Sequence, residues 1–140
     1  MKDQFDVQQD LYNIFSTDSE LLGLLWIPNE TNKDTLASKI RLIMADTTVM
    51  QQDDVDTLPF FDVTFVPMRS QTNNYLLSRG TLEFNIYGSS WATVRGIYRR
   101  IHKLLEDNYS DAQVYYEGQG ASGITGVVRY VFRTHQFTKA

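Results

Sequence analysis

The stretch RGTLEFNIYGSSWATVRGIYRRIHKLLEDN, residues 79–108, decides the fold. From Arg79 to Tyr87, apolar and polar side chains alternate, which predicts a strand with one buried and one wetter face. Ser90 is suited to cap the element that follows. From Trp91 to Asn108, apolar residues recur with a period close to 3.6, which predicts an amphipathic helix.

Further strands are predicted on both sides of this unit. Phe60 to Val66 precedes it, while Ala112 to Glu117 and Ile124 to Phe137 follow it. Pro67 lacks an amide donor, so the end of the first strand is expected at a sheet edge or where pairing stops. The order β-β-α-β-β predicts an α+β fold, a four-stranded antiparallel sheet packed against helices on one face.

Helices are predicted before the sheet. Asp3 to Phe15 has a single apolar face, and Asp18 to Leu25 follows a capping-box pattern in which Thr17 accepts from the next turn. A third helix is predicted from Thr35 to Ala45. A strand is the alternative there, because the apolar residues Ile40, Leu42 and Met44 also alternate. Residues 46–57 are predicted to form a polar loop.

The composition limits the class of protein. The chain has 140 residues, no cysteine and a formal net charge of −4, which suits one globular domain spanning 1–140. Without cysteine there is no disulfide framework, thiol nucleophile or Cys-ligated zinc. No apolar run reaches about 18 residues, and the N-terminus lacks the apolar segment of a signal peptide. The acidic balance argues against a dedicated nucleic-acid binder.

Candidate catalytic groups do not form a recognised motif, so we expect no enzyme, metal or cofactor. His102 falls on the long helix and His135 near the end of the last strand. The run Asp53-Asp54-Asp56 lacks the order of a calcium loop. The glycines of residues 118–123 match G-x-G-x-x-G in spacing, but a strand is predicted after them where a nucleotide fingerprint needs a helix. We interpret that segment as a mobile hairpin tip.

Other features indicate partner contacts. Basic residues on the long helix, Arg95 among them, are interpreted as a solvated or subunit-facing surface. Arginines of the last predicted strand alternate with Tyr130 and Phe132, a mixture found at protein interfaces. Two long connections, 68–78 and 118–123, are not trimmed to tight turns. The candidate interface residues are Asn73, Asn74, Tyr75, Leu76, Leu77, Arg79, Gly120, Ser122, Arg129 and Arg133.

Taken together, the chain resembles the tail-terminator and tail-completion (head–tail joining) proteins of long-tailed bacteriophages. The resemblance covers most of the chain, as an order of elements and a hydrophobic pattern. It is carried by Asp10-Leu11-Tyr12-Asn13-Ile14-Phe15, Leu58-Pro59, Asn73-Asn74, Gly80-Thr81-Leu82-Glu83-Phe84-Asn85-Ile86-Tyr87, Ile101-His102-Lys103-Leu104-Leu105 and Arg129-Tyr130-Val131-Phe132.

The resemblance implies a non-enzymatic virion protein, assembled in the host bacterial cytoplasm. It implies a homo-oligomeric ring, a hexamer, that caps the tail tube. The implied partners are copies of itself, the tail tube protein and neck or connector proteins, with no membrane. DNA would pass through the channel without specific binding, which an acidic protein favours. We expect the Phe60 to Val66 strand or the last strand to supply an open edge for the ring contact.

Three alternatives remain open. The first is a neck connector or stopper on the portal side. The second is a small enzyme or ligand-binding α+β domain, which would need a pocket with perturbed acids or histidines. The third is a regulator that binds nucleic acid, whose binding would depend on salt.

Overall fold

The computed structural model describes residues 4–27, 33–43, 52–66, 81–110 and 112–135. The helices are α1 (Gln4–Thr17), α2 (Ser19–Leu24), α3 (Lys33–Lys39) and α4 (Trp91–Asn108), with a 3₁₀ helix at Gln52–Thr57. The strands are β1 (Ile40–Ile43), β2 (Phe60–Val66), β3 (Thr81–Gly88), β4 (Val114–Gly120) and β5 (Val128–His135).

The strands form one mixed sheet of five, in the order β1-β2-β3-β5-β4. The pairs β2–β3, β3–β5 and β4–β5 are antiparallel, as predicted, whereas β1 runs parallel to β2. The α+β class is therefore confirmed, and the prediction of four purely antiparallel strands is wrong. The strand that was not predicted, β1, is short, and its sequence also has a helical period.

The additional strand, β1, shows that the helix predicted from Thr35 to Ala45 is wrong in its second half. The helix α3 ends at Lys39, and Ile40 begins β1 directly. Ile40 lies opposite Phe61 and Leu42 opposite Val63 in the parallel register. Burial of Ile40 against the sheet core outweighs local helix propensity. The alternation that supported the strand alternative was the better signal from residue 40 onward.

One face of the sheet carries the main core. Ring centroids of Phe15 on α1 and Phe61 on β2 lie 5.2 Å apart, edge to face, and those of Phe84 and Phe132 are stacked at 4.4 Å. The apolar stripe of α4 packs on the same face. Fully buried members of this core include Val7, Leu11, Leu21, Leu25, Val63, Phe65, Leu82, Ile86, Ile97 and Ile101.

The helix caps match the predictions in part. Ser90 caps α4 as predicted, since its hydroxyl accepts from the amide of Thr93 at 3.3 Å. At α2 the cap is Asp18, whose carboxylate accepts from the amide of Leu21 at 2.9 Å. The predicted cap, Thr17, instead ends α1, where its hydroxyl donates to the carbonyl of Asn13 at 2.6 Å.

The final hairpin is shifted relative to the prediction. β4 begins two residues later than expected and continues through Gly120. β5 begins at Val128, so residues 124–127 belong to the connection and not to the strand. The two predicted faces of β5 are confirmed, because Phe132 lies opposite Phe84 in the core while Arg133 lies opposite Glu83 on the other face.

The order of strands corrects the expected ring contact. β2 and β5 each have a neighbour on both sides, so neither offers an open edge. Among the described residues, the sheet ends instead at β1 and β4. The connection at 68–78 and the first half of the predicted polar loop, residues 46–51, lie outside the described residues.

Candidate interaction surfaces

The sheet face that turns away from the main core is built around a buried polar chain. Asn85 on β3 donates to Asp62 of β2 at 2.8 Å, and Arg129 of β5 donates to the amide oxygen of Asn85 at 2.6 and 3.0 Å. Asp62 and Asn85 are fully buried. Burial raises the pKa of Asp62 to about 6, although the Asn85 hydrogen bond and the Arg129 charge act in the opposite direction.

A second link on this face holds the other predicted interface arginine. Arg133 donates to Glu83 at 2.8 Å and lies over the ring of Tyr116, 4.8 Å from its centroid. Tyr115 stacks on His135, with ring centroids 4.6 Å apart. Both tyrosines are about half exposed. This corner of the sheet therefore presents an aromatic and cationic surface beside the edge strand β4.

The segment interpreted from sequence as a mobile tip, residues 118–123, divides between two elements. Its first three residues end β4, and the others begin the connection at 121–127, which has internal hydrogen bonds. The hydroxyl oxygen of Ser122 lies 3.0 Å from the carbonyl oxygen of Ile124 and 2.9 Å from that of Val127, so it can donate its proton to either carbonyl. The same hydroxyl oxygen accepts a hydrogen bond from the amide of Ile124 at 3.1 Å. Arg129 donates to the carbonyl of Ala121 at 3.1 Å. Ile124 and Val127 then pack against Phe60 and Tyr87, forming a small second core with Val55 and Leu58.

The structure thus brings four of the ten candidate interface residues onto one side of the sheet. Gly120 lies under Arg129, where a Cβ would meet the guanidinium and Val131 at 3.0 Å. Ser122, Arg129 and Arg133 are each engaged within the chain. The other candidates, Asn73, Asn74, Tyr75, Leu76, Leu77 and Arg79, lie outside the described residues. Whether any of the ten contacts a partner remains a prediction.

The two histidines belong to different environments. His102 is 3.0 Å from Glu106 on the exposed side of α4, whereas His135 stacks on Tyr115. Within the described ranges, no group of three His, Asp, Glu or Cys side chains has the arrangement of a metal site. In that same part of the chain, no helix has the length and apolar character needed to span a bilayer.

Two open depressions flank the ends of the sheet. The larger, about 760 Å³, lies between α1 and β1 and is lined by Phe5, Gln8, Gln9, Tyr12, Ala37, Ile40, Arg41 and Leu42. The smaller, about 240 Å³, is called here the α4–β4 pocket. It is lined by Trp91, Val94, Arg95, Tyr98, Gln119 and Tyr130.

Sequence reasoning missed both edge strands as surfaces. Gln8 donates to the carbonyl of Leu42 at 3.2 Å, which ties α1 to β1. At the other edge, Tyr98 of α4 donates a short hydrogen bond to Glu117 of β4. Burial, together with that hydrogen bond, raises the pKa of Tyr98 above its usual range. The aromatic residues Phe5 and Trp91 could have indicated these surfaces. Each lies at the start of a helix, Phe5 near the β1 edge of the sheet and Trp91 near the β4 edge.

The fold defined by these elements is a mixed five-stranded sheet with helices on its core face. No protein-family model and no curated protein matches the sequence. Among solved structures, the fold is similar to a chain in the virion of a native gene transfer agent (GTA) particle. The TM-score is 0.51 and the identity 11%, over 94% of each chain. The similarity is therefore one of fold over nearly the whole of both chains.

Proposed function

We propose that this protein is a structural component of a phage-like virion, which forms a ring at the end of the tail tube and joins the tail to the head. The observation that carries the proposal is the fold shared with a GTA virion chain across 94% of both chains. A match of that extent relates whole domains and not one common motif. The resemblance in sequence pattern to tail-terminator proteins supports the more specific role.

The chemistry of the described residues is consistent with this role. Asp62, Asn85 and Arg129 are bonded to one another across three strands, so they act in the fold and do not converge on a substrate cavity. The α4–β4 pocket and the groove beside β1 are open and mainly apolar in lining. We propose that the protein has no enzymatic activity and that its partners are copies of itself, the tail tube protein and neck proteins.

The test is deletion of the gene from the phage-like element that encodes it, followed by electron microscopy of the products. For a tail terminator we expect full heads that are separate from tails, with tails of irregular length. Complementation by the wild-type chain should restore joined particles. Leaking, DNA-filled heads with tails of normal length would instead identify a stopper. Normal joined particles would contradict any structural role at the head–tail joint.

A further inference from the structure

We propose that α1 of one copy docks against the α4–β4 pocket of a second copy, with Phe5 entering that pocket. The inference rests on the ring of the proposed function and names its contact surfaces. It starts from Phe5, whose side chain is 71% exposed, the most exposed large apolar residue among those described. Burial of this exposed phenyl ring against a partner would remove its apolar surface from water, which favours association.

The α4–β4 pocket offers a matching site. Its walls include Trp91, Tyr98 and Tyr130, and its lining is mostly apolar. The rings of Tyr98 and Tyr130 pack edge to face at a centroid distance of 5.0 Å, and Glu117 holds the Tyr98 hydroxyl. Two of the pocket walls are therefore positioned by contacts within the chain itself. Aromatic walls favour a phenyl ring, which packs on them in edge-to-face or offset geometry.

The two helices carry opposite charge. Between Gln4 and Thr17, α1 has Asp6 and Asp10 and no Lys or Arg. In α4 no acidic residue precedes Glu106, and Arg95 and Arg99 are exposed. Neither of these arginines makes an ion pair with another residue in the described ranges. Arg95 also lines the pocket, so docking of Phe5 would bring the neighbouring Asp6 towards it.

The positions of the two surfaces determine the symmetry. α1 lies beside β1 and the pocket lies beside β4, at opposite ends of the sheet. A contact between them is heterologous, since each copy uses one surface and leaves the other available. It also places the edge of β4 near the edge of β1 of the next copy. Repetition of one such contact with the right rotation closes a ring.

The experiment is sedimentation velocity of the wild-type chain, Phe5→Ala and Trp91→Ala. We expect the wild type to assemble, and each variant to raise the dissociation constant at least tenfold while keeping the wild-type circular dichroism spectrum. Trp26→Asn is the matched control, because Trp26 is also exposed, at 63%, but lines neither surface; it should assemble like the wild type. Mixing Phe5→Ala with Trp91→Ala leaves one intact contact per pair, so dimers and nothing larger should form.

A charge exchange provides an independent readout. Arg95→Asp and Asp6→Arg should each weaken assembly, and the chain carrying both should recover most of it. Assembly of all variants like the wild type, or a wild-type monomer at every concentration tested, would overturn the inference. If the protein forms a ring through another surface, the proposed contact is wrong but the proposed function is not contradicted. If heads and tails join normally without the gene, the proposed function is wrong but the proposed contact between copies is not contradicted.

Discussion

Asn85 lies between the buried carboxylate of Asp62 and the guanidinium of Arg129 and is hydrogen-bonded to both. The amide nitrogen of Asn85 donates to Oδ1 of Asp62 at 2.8 Å, while its oxygen accepts from Arg129. The second oxygen of Asp62, Oδ2, is buried and accepts no hydrogen bond from the part of the chain that the structure describes. The ionised form of Asp62 is therefore only half satisfied, which explains why burial raises its pKa to about 6.

The first prediction concerns the effect of Asp62 on stability against pH. The folded pKa of about 6 exceeds the ordinary value of 3.8 for an aspartate, so the folded state holds this proton more tightly. The stabilising contribution of protonation is complete below the unfolded pKa and is lost as pH rises through 6. A shift of this size corresponds to about 3 kcal/mol in the free energy of unfolding, as an upper figure.

Asp62→Asn should remove that dependence and keep the acceptor for Asn85. At pH 7 we expect the variant to be about 1–3 kcal/mol more stable than the wild type, with the advantage shrinking towards pH 4. Urea unfolding of both proteins across that pH range measures the difference in their free energies of unfolding. The other carboxylates titrate in both proteins, so their contribution cancels in this difference. An advantage that stays constant with pH would show that the Asp62 pKa is not raised.

The second prediction concerns the link between α2 and α4. Asp18 caps α2 and accepts from Arg100 of α4 at 2.6 and 2.8 Å. The hydrogen bond from Arg100 lowers the pKa of Asp18, so this contribution to stability is lost as pH falls. Asp18→Ala should cost about 2 kcal/mol in the free energy of unfolding, because cap and ion pair are both lost.

Asp18→Asn is the matched variant, since it keeps a capping oxygen and loses only the charge. We expect it to cost less than half as much as Asp18→Ala, measured by urea unfolding at pH 7. Equal losses in the two variants would mean that capping contributes nothing measurable.

The third prediction compares two glycines. A Cβ at Gly88 would meet Cγ2 of Val94 at 2.8 Å, whereas a Cβ at Gly23 meets nothing within 4 Å. Gly88→Ala should destabilise the protein by about 1–3 kcal/mol, because β3 and α4 must separate. Gly23→Ala should stabilise it by up to about 1 kcal/mol through helix propensity. Thermal unfolding of both variants checks the opposite signs.

The fourth prediction concerns the end of α2. Trp26 has a φ of 60°, in the left-handed region, and its amide donates to the carbonyl of Gly23 while that of Ile27 donates to Leu22. This is the hydrogen-bond pattern of a Schellman motif, in which glycine is usual at the left-handed position. Trp26→Gly should therefore raise the free energy of unfolding by about 0.5–1 kcal/mol. Trp26→Ala keeps the backbone strain and serves as the comparison; equal stability of the two would contradict the argument.

Elements whose local pattern agrees with their packing were predictable from sequence. α4 has the bounds predicted for it, since its stripe, its Ser90 cap and its burial all agree. β1 was not predictable as a strand with certainty, because residues 40–43 carry both periodicities and only the parallel contact with β2 selects one. The C-terminal end of β4 was not predicted, because it contains glycines, which have low strand propensity but pair with β5 in the structure.

The candidate surfaces were likewise predictable only where a local sequence pattern determines them. Placement of Arg129 and Arg133 on one strand face followed from alternation alone. The order of strands did not, so the sequence suggested edges at β2 and β5 where the sheet has interior strands. Nor does local sequence reveal that Ser122 fixes its own loop, because that requires the carbonyls of two later residues to turn towards one hydroxyl.

The central claim is that this chain is built into a virion at the joint between tail and head. Cryo-electron microscopy of purified particles from the element that encodes it tests this most directly. We expect density for a ring of five-stranded subunits at the head-proximal end of the tail tube, with α1 of each subunit against α4 of the next. Complete particles that contain no copy of the chain, or that carry it elsewhere, would contradict the account.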